Sequence, residues 1–157
     1  LELTSFGTLA DFVRFCGNRW GDKSLVRAHY DLKKVKSVRN CAAHGSCIIN
    51  VFAEGENSRH TTSVDTLDAV ARVSLSKVTR KKWMRNAAAQ EIAITLVRYS
   101  KDVRGAESRE KAEKWLKGFF DEVRQNAGLL PQTGPDATSA AAFNFMEALT
   151  KSLGLIK

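Results

Sequence analysis

The segment 39–44, Arg-Asn-Cys-Ala-Ala-His, combines side chains that can cleave RNA without a metal ion. Histidine both takes and gives a proton near neutral pH. Arginine is a permanent cation whose forked donors fit phosphate oxygens. A base that activates a ribose 2′-OH, with a cation that stabilises the developing charge, can cleave RNA but not DNA. Arg39 and His44 are therefore candidate catalytic residues, and Asn40 can orient the imidazole or bind a substrate oxygen.

We expect one helix, over about residues 32–52, to carry this segment. Its apolar stripe at three- and four-residue steps consists of Leu32, Val35, Val38, Ala42, Gly45, Ile49 and Phe52. On a helical wheel Asn40 and His44 lie opposite this stripe, on a face shared with Cys47, Lys33 and Lys36, and the two lysines are candidate RNA contacts.

Arg39 lies about 140° from His44 on the same wheel, so one straight helix could not point both side chains at one phosphate. A second copy related by a two-fold axis would bring two Arg39/His44 pairs together. Ile48 and Val51, near His44, add apolar surface for such a contact. The sequence therefore predicts a homodimer with this helix at the interface.

Other kinds of site were weighed for the same residues. Cys41, His44 and Cys47 spread over more than half of a helix circumference, which is poor for three ligands on one ion. No cofactor or metal is therefore expected. A nucleophilic Cys41–His44 pair lacks an evident third group. The remaining alternative is a helix histidine with no role, and His29 and His60 are interpreted as surface or structural residues.

Charge is unevenly distributed along the 157 residues, whose net formal charge is +8. Residues 1–60 carry 9 basic and 6 acidic side chains, residues 61–105 carry 9 and 4, and residues 106–157 carry 7 of each. The basic excess is confined to the first two thirds and favours a polyanionic partner, of which nucleic acid is the commonest. The alternative is a soluble protein that is merely basic.

A basic cluster lies near residue 80, where a third and a fourth helix are expected to meet. Its members are Lys77, Arg80, Lys81, Lys82 and Arg85. We interpret them as contacts to RNA phosphates, with a solvated helix face as the alternative. Trp83 lies among them and could stack on a base, but its spacing to Ala87 and Ile94 favours a core position.

Apolar periodicity elsewhere predicts an all-α bundle of about five to six helices. A first helix, with Thr8 as its N-cap, ends near Gly17, and 21–31 is expected to hold a turn or a short helix. Further helices are expected over about 63–78, 80–100, 107–126 and 138–154, and the polar stretch 53–62 is expected to be a mobile loop.

The predicted helix 107–126 has a broad apolar face that consists of Ala112, Trp115, Leu116, Phe119, Phe120 and Val123. Its outer face has the favourable i,i+4 pairs Glu107/Lys111, Glu110/Lys114 and Glu113/Lys117. We interpret this outer face as solvated rather than as a site.

Composition sets the remaining limits. Hydrophobic residues are 43% and charged residues 27%, typical of one globular domain, 1–157. There is no apolar run long enough for a membrane span or a signal peptide. Three cysteines form no staple pattern, so a reducing, cytoplasmic setting is the default. The first residue is Leu rather than Met, and we expect the chain to lack an N-terminal portion of its gene product.

Two stretches resemble a known family. ELTSFGTLADFVRFC at 2–16, followed by HYDLKKVKSVRNCAAHGSCIINVF at 29–52, is similar to the Abi-like (abortive infection) proteins of bacteria, within the HEPN superfamily (higher eukaryotes and prokaryotes nucleotide-binding domains). The segment 39–44 fits the Arg-polar-x3-His signature of that superfamily. The resemblance covers about a third of the chain.

The resemblance implies a helical HEPN bundle that dimerises and builds one composite ribonuclease site from two motifs. Arg39 would hold the scissile phosphate, His44 would be the acid or base, and Asn40 would be the polar companion. The implied function is a metal-independent endoribonuclease in phage defence of the abortive-infection or toxin–antitoxin type, with a possible antitoxin or regulatory partner. A non-catalytic RNA-binding or regulatory HEPN module is the alternative, and a purely structural interaction bundle is a third class.

Overall fold

The computed structural model describes residues 5–46, 58, 61–129 and 135–157. Within these ranges the chain is all-α, as predicted, with seven helices and no strand. The helices are α1 (Phe6–Trp20), α2 (Lys23–Ala43), α3 (Val64–Ala71), α4 (Lys77–Arg85), α5 (Ala87–Asp102), α6 (Ala106–Gln125) and α7 (Pro135–Ser152). A short 3-10 turn, Ala127–Leu129, follows α6. No described helix is both long and apolar enough to cross a membrane.

The first helix differs from its predicted bounds at both ends. Ser5, not Thr8, is the N-cap, and its hydroxyl accepts a hydrogen bond from the Thr8 amide at 3.2 Å. The helix continues past Gly17 to Trp20 and ends at Gly21, whose φ of +67° is a conformation that glycine adopts without strain. Gly17 is instead buried where α1 crosses α2, since a Cβ there would lie 2.8 Å from the Val26 nitrogen.

The second helix corrects the prediction of a helix over 32–52. Asp22 caps α2, and its carboxylate accepts hydrogen bonds from the Ser24 and Leu25 amides. The segment 21–31, predicted to hold a turn or a short helix, is helical from Lys23 and continuous with the helix that follows. Hydrogen bonds to Ser24 lower the pKa of Asp22. The helix ends at Ala43, and the predicted contacts of Cys47, Ile48, Ile49, Val51 and Phe52 lie outside the described residues.

The region predicted as two helices, 63–78 and 80–100, contains three. Helix α3 ends at Ala71, and Ser76 starts α4 by accepting a hydrogen bond from the Thr79 amide at 3.1 Å. Asn86 ends α4 in an extended conformation and caps α5 through its side-chain oxygen, 2.9 Å from the Ala89 amide. The predicted helices were therefore wrong in their boundaries, because short polar caps interrupt the apolar periodicity.

The core is formed mainly by α5 and α7, with buried side chains from α3, α4 and α6. Trp83 is 1% exposed and stacks on Phe145 with ring centroids 6.3 Å apart, which confirms its predicted core position. Phe120 of α6 is buried, but Trp115, predicted on the same inner face, is 79% exposed. Helix α6 therefore buries a narrower stripe than its sequence predicted. The predicted loop 53–62 falls mostly outside the described residues.

Two ion pairs show how α5 lies against its neighbours. Lys34 of α2 pairs with Glu91 near the start of α5 at 2.9 Å, and Lys101 near the end of α5 pairs with Asp65 of α3 at 2.7 Å. The start of α3 also borders the first half of α2. Helices α5 and α2 are therefore antiparallel, and the junction between α4 and α5 lies toward the end of α2.

Candidate nucleic-acid interface

The end of α2 is defined by backbone hydrogen bonds. The Ser46 amide donates to the Cys41 carbonyl at 2.9 Å and the Gly45 amide to the Ala42 carbonyl at 3.3 Å, the two bonds of a Schellman motif. Gly45 has a φ of +66°, which this motif requires and which a residue with a side chain rarely adopts. His44 is consequently the C-cap, the first residue whose backbone leaves the helix.

Two of the three candidate catalytic residues are joined through their side chains at this helix end, and His44 is linked to Asn40 through the helix backbone. The Arg39 guanidinium donates to the side-chain oxygen of Asn40 at 3.1 Å, and the His44 amide donates to the Asn40 carbonyl at 3.0 Å. Arg39 and His44 are exposed and Asn40 is half-buried. His44 still makes the helical hydrogen bond to Asn40, so its Cα lies on the last turn of α2 and the angular separation between Arg39 and His44 stays a prediction.

One of the two predicted RNA contacts on α2, Lys36, lies next to the start of α1. Lys33 and Lys36 are both exposed. The Lys36 ammonium lies 2.8 Å from the point that a Cβ on Gly7 would occupy, so this side chain crosses to the first turn of α1. The first turn of α1 contains the Ser-Phe-Gly segment, so the two stretches that carry the family resemblance pack against each other through α1 and α2.

Helix α4 carries four of its five basic side chains on the solvent face. Lys77, Lys81, Lys82 and Arg85 are exposed, and Val78, 79% exposed, lies among them. Lys77, Lys81 and Arg85 follow one another at four-residue steps, about 6 Å along the axis. None of these four cations has an ion pair among the described residues, and α4 contains no acidic residue. This row of exposed cations therefore gives the solvent face of α4 a strong positive charge.

Arg80 differs from the rest of the cluster. It is half-buried, and its guanidinium donates to the Val73 carbonyl at 3.0 Å and to the Leu75 carbonyl. These bonds hold the turn between α3 and α4, so Arg80 has a structural role here although the sequence grouped it with the RNA contacts. Lys82 places its ammonium 5.2 Å from the ring centroid of Trp83, whose ring is buried beneath it.

The end of α4 and the end of α2 lie toward the same end of the bundle, because α5 begins directly after α4 and is antiparallel to α2. Ser58 also lies there, since its amide donates to the Arg85 carbonyl at 2.7 Å. The two groups of residues that the sequence singled out therefore lie toward the same end of the bundle.

Other histidines and cysteines of the described chain do not extend this region. His29 is fully buried, with Nδ1 2.8 Å from the Ala10 carbonyl oxygen, so it joins α1 to α2 structurally. Cys16 is buried, Cys41 is half-buried, and His60 lies outside the described residues. Among the described residues no three His, Cys, Asp or Glu side chains are grouped as metal ligands would be.

Sequence reasoning missed a cavity of about 580 Å³ between the first half of α2 and the start of α3. The sequence contained one indication of this cavity, the carboxylate Asp31. It lies one turn after Ala28, a buried residue on the same side of α2. In the sequence, Asp31 lies directly before the predicted helix 32–52, where an acidic residue is unremarkable. The structure buries Asp31 in the middle of α2 instead.

Comparisons with protein-family models, with curated proteins and with solved structures found no match to this chain.

Proposed function

We propose that this protein is a metal-independent endoribonuclease that acts as a homodimer, with Arg39, Asn40 and His44 in its catalytic site. One observation supports the proposal: Arg39 and His44 are exposed at the end of α2, with Asn40 half-buried between them, toward the end of the bundle where the cationic row of α4 also ends. The row would hold the RNA backbone, and the group at the end of α2 would act on one phosphate.

The reaction follows from the side chains. The imidazole of one His44 takes the proton of a ribose 2′-OH, and the 2′ oxygen attacks the neighbouring phosphorus. The bond from phosphorus to the 5′ oxygen breaks, and the leaving oxygen takes a proton from a second imidazole. The products are a 2′,3′-cyclic phosphate and a free 5′-OH. Arg39 would stabilise the extra negative charge on the phosphoryl oxygens, which is greatest in the transition state.

The dimer supplies the second imidazole. One chain has one histidine in the Arg39–Asn40–His44 group, whereas the reaction uses an acid and a base. A two-fold axis beside the end of α2 would provide both from identical chains. The hydrogen bond between Arg39 and Asn40 would hold the exposed guanidinium in a defined position beside such an axis.

The resemblance to Abi-like proteins of the HEPN superfamily extends the proposal to the biological setting. A ribonuclease of that kind would act in phage defence, of the abortive-infection or toxin–antitoxin type, in the cytoplasm. An antitoxin or regulatory protein would then control it.

A second function, a non-catalytic RNA-binding module, is favoured by a separate observation. The exposed cations of α4 would bind RNA phosphates without any group at the end of α2. In this case RNA affinity would be unchanged when His44 is replaced, and no cleavage would be seen.

The deciding experiment incubates the purified protein with mixed RNA in excess chelator, beside the His44→Ala and Arg39→Ala variants. We expect cleavage that leaves cyclic phosphate ends, and loss of cleavage in both variants with little loss of stability, because exposed positions usually cost under about 0.5 kcal/mol. Arg104→Ala, at an exposed arginine between α5 and α6, is the matched control and should cleave normally. Activity that disappears in chelator and returns with metal would exclude this mechanism.

A further inference from the structure

Helix α6 has an apolar side that the rest of the described chain leaves uncovered. Of its 20 residues only Phe120 is buried. Trp115 is 79% exposed and Phe119 is 43% exposed, and both line a groove of about 700 Å³. Large apolar side chains that are exposed together in a concave place indicate a binding surface, whereas scattered ones do not.

The groove is a depression in the surface of α6 itself. Its described lining residues all belong to this helix: Lys111, Lys114, Trp115, Gly118, Phe119 and Glu122. The depression lies at Gly118, where no atom is within 4 Å of the point that a Cβ would occupy. The ring of Phe119 is held by edge contacts with Phe120 and Phe143, at centroid distances of 5.2 Å and 5.7 Å. The helix therefore presents a projecting indole and an empty position on one face.

The residues of this face follow the spacing of a seam between two helices. Steps of four, three and four residues separate Lys111, Trp115, Gly118 and Glu122. This spacing keeps side chains on the line along which a second helix can pack. A two-fold axis that crosses this line midway between Trp115 and Gly118 makes the two paired helices antiparallel.

We propose that this face of α6 binds the same face of a second copy of the chain, with the two helices antiparallel. The shapes fit, because Trp115 of each copy lies opposite Gly118 of the other, and its indole fills the depression there. Such a contact packs a large side chain into a hole of the facing helix, as in coiled coils. Since the contact is two-fold symmetric, one complementary pair of residues is used twice.

The charges of this face are complementary in the same arrangement. Lys111 of each copy lies opposite Glu122 of the other, so the axis repeats one attraction twice. Glu122 has no ion pair among the described residues. Lys111 pairs with Glu107, but both side chains are largely exposed, and an ammonium group has three donors that can serve two carboxylates. Lys111 is then part of a contact, although its place in the sequence favoured a solvated face.

A parallel pairing of the same face does not fit. It would place Lys111 against Lys111 and Glu122 against Glu122, and it would leave both depressions empty. In the antiparallel pairing Lys114 also lies opposite Phe119, where a cation is attracted to the aromatic ring. Shape and charge therefore favour one orientation, and they favour a second copy as the occupant.

This contact goes beyond the proposed ribonuclease, because it uses α6 and no residue at the end of α2. A chain that makes both contacts would form particles of four or more copies, and a chain that makes the α6 contact alone would form dimers. In either case loss of the α6 contact lowers the mass of the particle, to two copies or to one.

Sedimentation velocity of the purified protein, without RNA, tests the α6 contact. Trp115→Ala should weaken association at least about thirtyfold, as loss of a central tryptophan does in protein interfaces. Gly118→Leu should fill the depression and also weaken association, although leucine is a better helix former than glycine and has free space there. Its urea midpoint should therefore not fall, which separates loss of the contact from loss of the fold. The control Trp20→Ala removes another indole, 71% exposed, and should associate as the original protein does.

Charge reversal tests the identity of the partner. Lys111→Glu and Glu122→Lys each place like charges opposite each other at both positions, so each variant alone should associate weakly. A mixture of the two variants should recover the original particle mass, because every facing pair again has opposite charges. Glu110→Lys is the matched control, since it lies about 120° from Glu122 around the helix and should not change association.

Three results would each overturn the proposal. The first is an original protein that sediments as a monomer at micromolar concentration. The second is a particle mass that Trp115→Ala and Gly118→Leu both leave unchanged, which would assign the exposed face to a partner of another kind. The third is a mixture of the charge variants that does not recover the original mass. His44→Ala should keep the α6 contact, so failure of RNA cleavage would leave these results unaffected.

Discussion

Helices α4 and α6 both have few buried residues and many charged residues, but their charged side chains differ in whether they form ion pairs. On α6, Lys111 pairs with Glu107 at 2.7 Å and Lys117 with Glu113 at 2.8 Å. On α4 the exposed cations have no acidic neighbour on their own helix and no ion pair among the described residues. One helix face is electrically balanced, and the other is available to an external anion.

The comparison shows why a count of lysines is a weak indicator of a nucleic-acid surface. An i,i+4 pair with glutamate holds a lysine in a local interaction and cancels its field at the distance of a ligand. A row of cations on one face adds its fields together instead. We therefore expect RNA binding to depend on α4 and to be nearly independent of α6.

The largest expected effect is on RNA affinity. Replacing Lys77, Lys81 and Arg85 together with glutamine should weaken binding about fiftyfold near physiological salt, and should reduce the salt slope by about 2, because each phosphate contact contributes about 0.7. The measurement is fluorescence anisotropy with single-stranded RNA over a range of salt concentrations.

The matched control replaces Lys111, Lys114 and Lys117 of α6 with glutamine, which removes the same charge from the balanced helix. Its affinity and salt slope should stay close to those of the original protein. Equal losses for the two triple variants would mean that only net charge matters, and the distinction between the helices would fail.

The next prediction compares the stability contribution of the half-buried Arg80 of α4 with that of an exposed cation on the same helix. Arg80→Ala should lower the free energy of unfolding by about 2 kcal/mol, because two carbonyls of the preceding turn lose a charged donor. Lys81→Ala, one residue on and exposed, should cost less than about 0.5 kcal/mol. Urea denaturation measures both. Similar small losses would contradict the structural role of Arg80.

A smaller effect is expected from the helix starts. Ser76→Ala removes the side-chain cap of α4 and should destabilise the protein by about 1 kcal/mol. Helix α6 starts at Gly105 with no side-chain cap. Gly105→Ser should therefore stabilise by a few tenths of a kcal/mol, since the backbone there is extended and a Cβ would meet Ser108 Oγ at an ordinary 3.6 Å. Thermal unfolding that moves the same way in both variants would contradict this assignment.

The smallest effect concerns the balanced face of α6. The hydrogen bond from Lys117 lowers the pKa of Glu113, with a weaker contribution from Lys157. A lowered pKa in the folded state means that the pair stabilises the fold above the ordinary pKa of glutamate. This contribution is lost as the pH falls through the lowered value.

Lys117→Gln should return the pKa of Glu113 toward its ordinary value, as measured by NMR titration of the side-chain carboxyl group. Glu107 is the internal reference, because its partner Lys111 is unchanged in that variant. A Glu113 titration that is the same in both proteins would show that the pair does not persist in solution.

The fold class could be predicted because apolar residues recur at helical spacing through most of the chain. The helix ends could not be located by the same rule. Gly17 and Gly21 are both plausible terminators in sequence, and only the contact with Val26 shows that Gly17 lies in a helix crossing. Asn86 looks like an ordinary polar position of one long helix, yet its side chain caps α5.

The candidate site was predictable in its residue types and not in its geometry. Arg39 and His44 could be selected by chemistry, but the end of α2 depends on backbone bonds around Gly45 that apolar spacing does not report. The role of Arg80 depends on carbonyls in a turn that the sequence placed inside a helix. The cavity at Asp31 could not be predicted, because its walls come from segments about thirty residues apart.

The cap position of His44 has a consequence for how this chain can vary over evolution. The Schellman bonds at the end of α2 use only main-chain atoms around it, and the side chain of residue 44 is exposed. Exchange of this side chain therefore leaves the hydrogen bonds that end the helix in place. A lineage could lose, regain or alter chemistry at position 44 while the bundle continues to fold, whereas a change at Gly45 would affect folding itself.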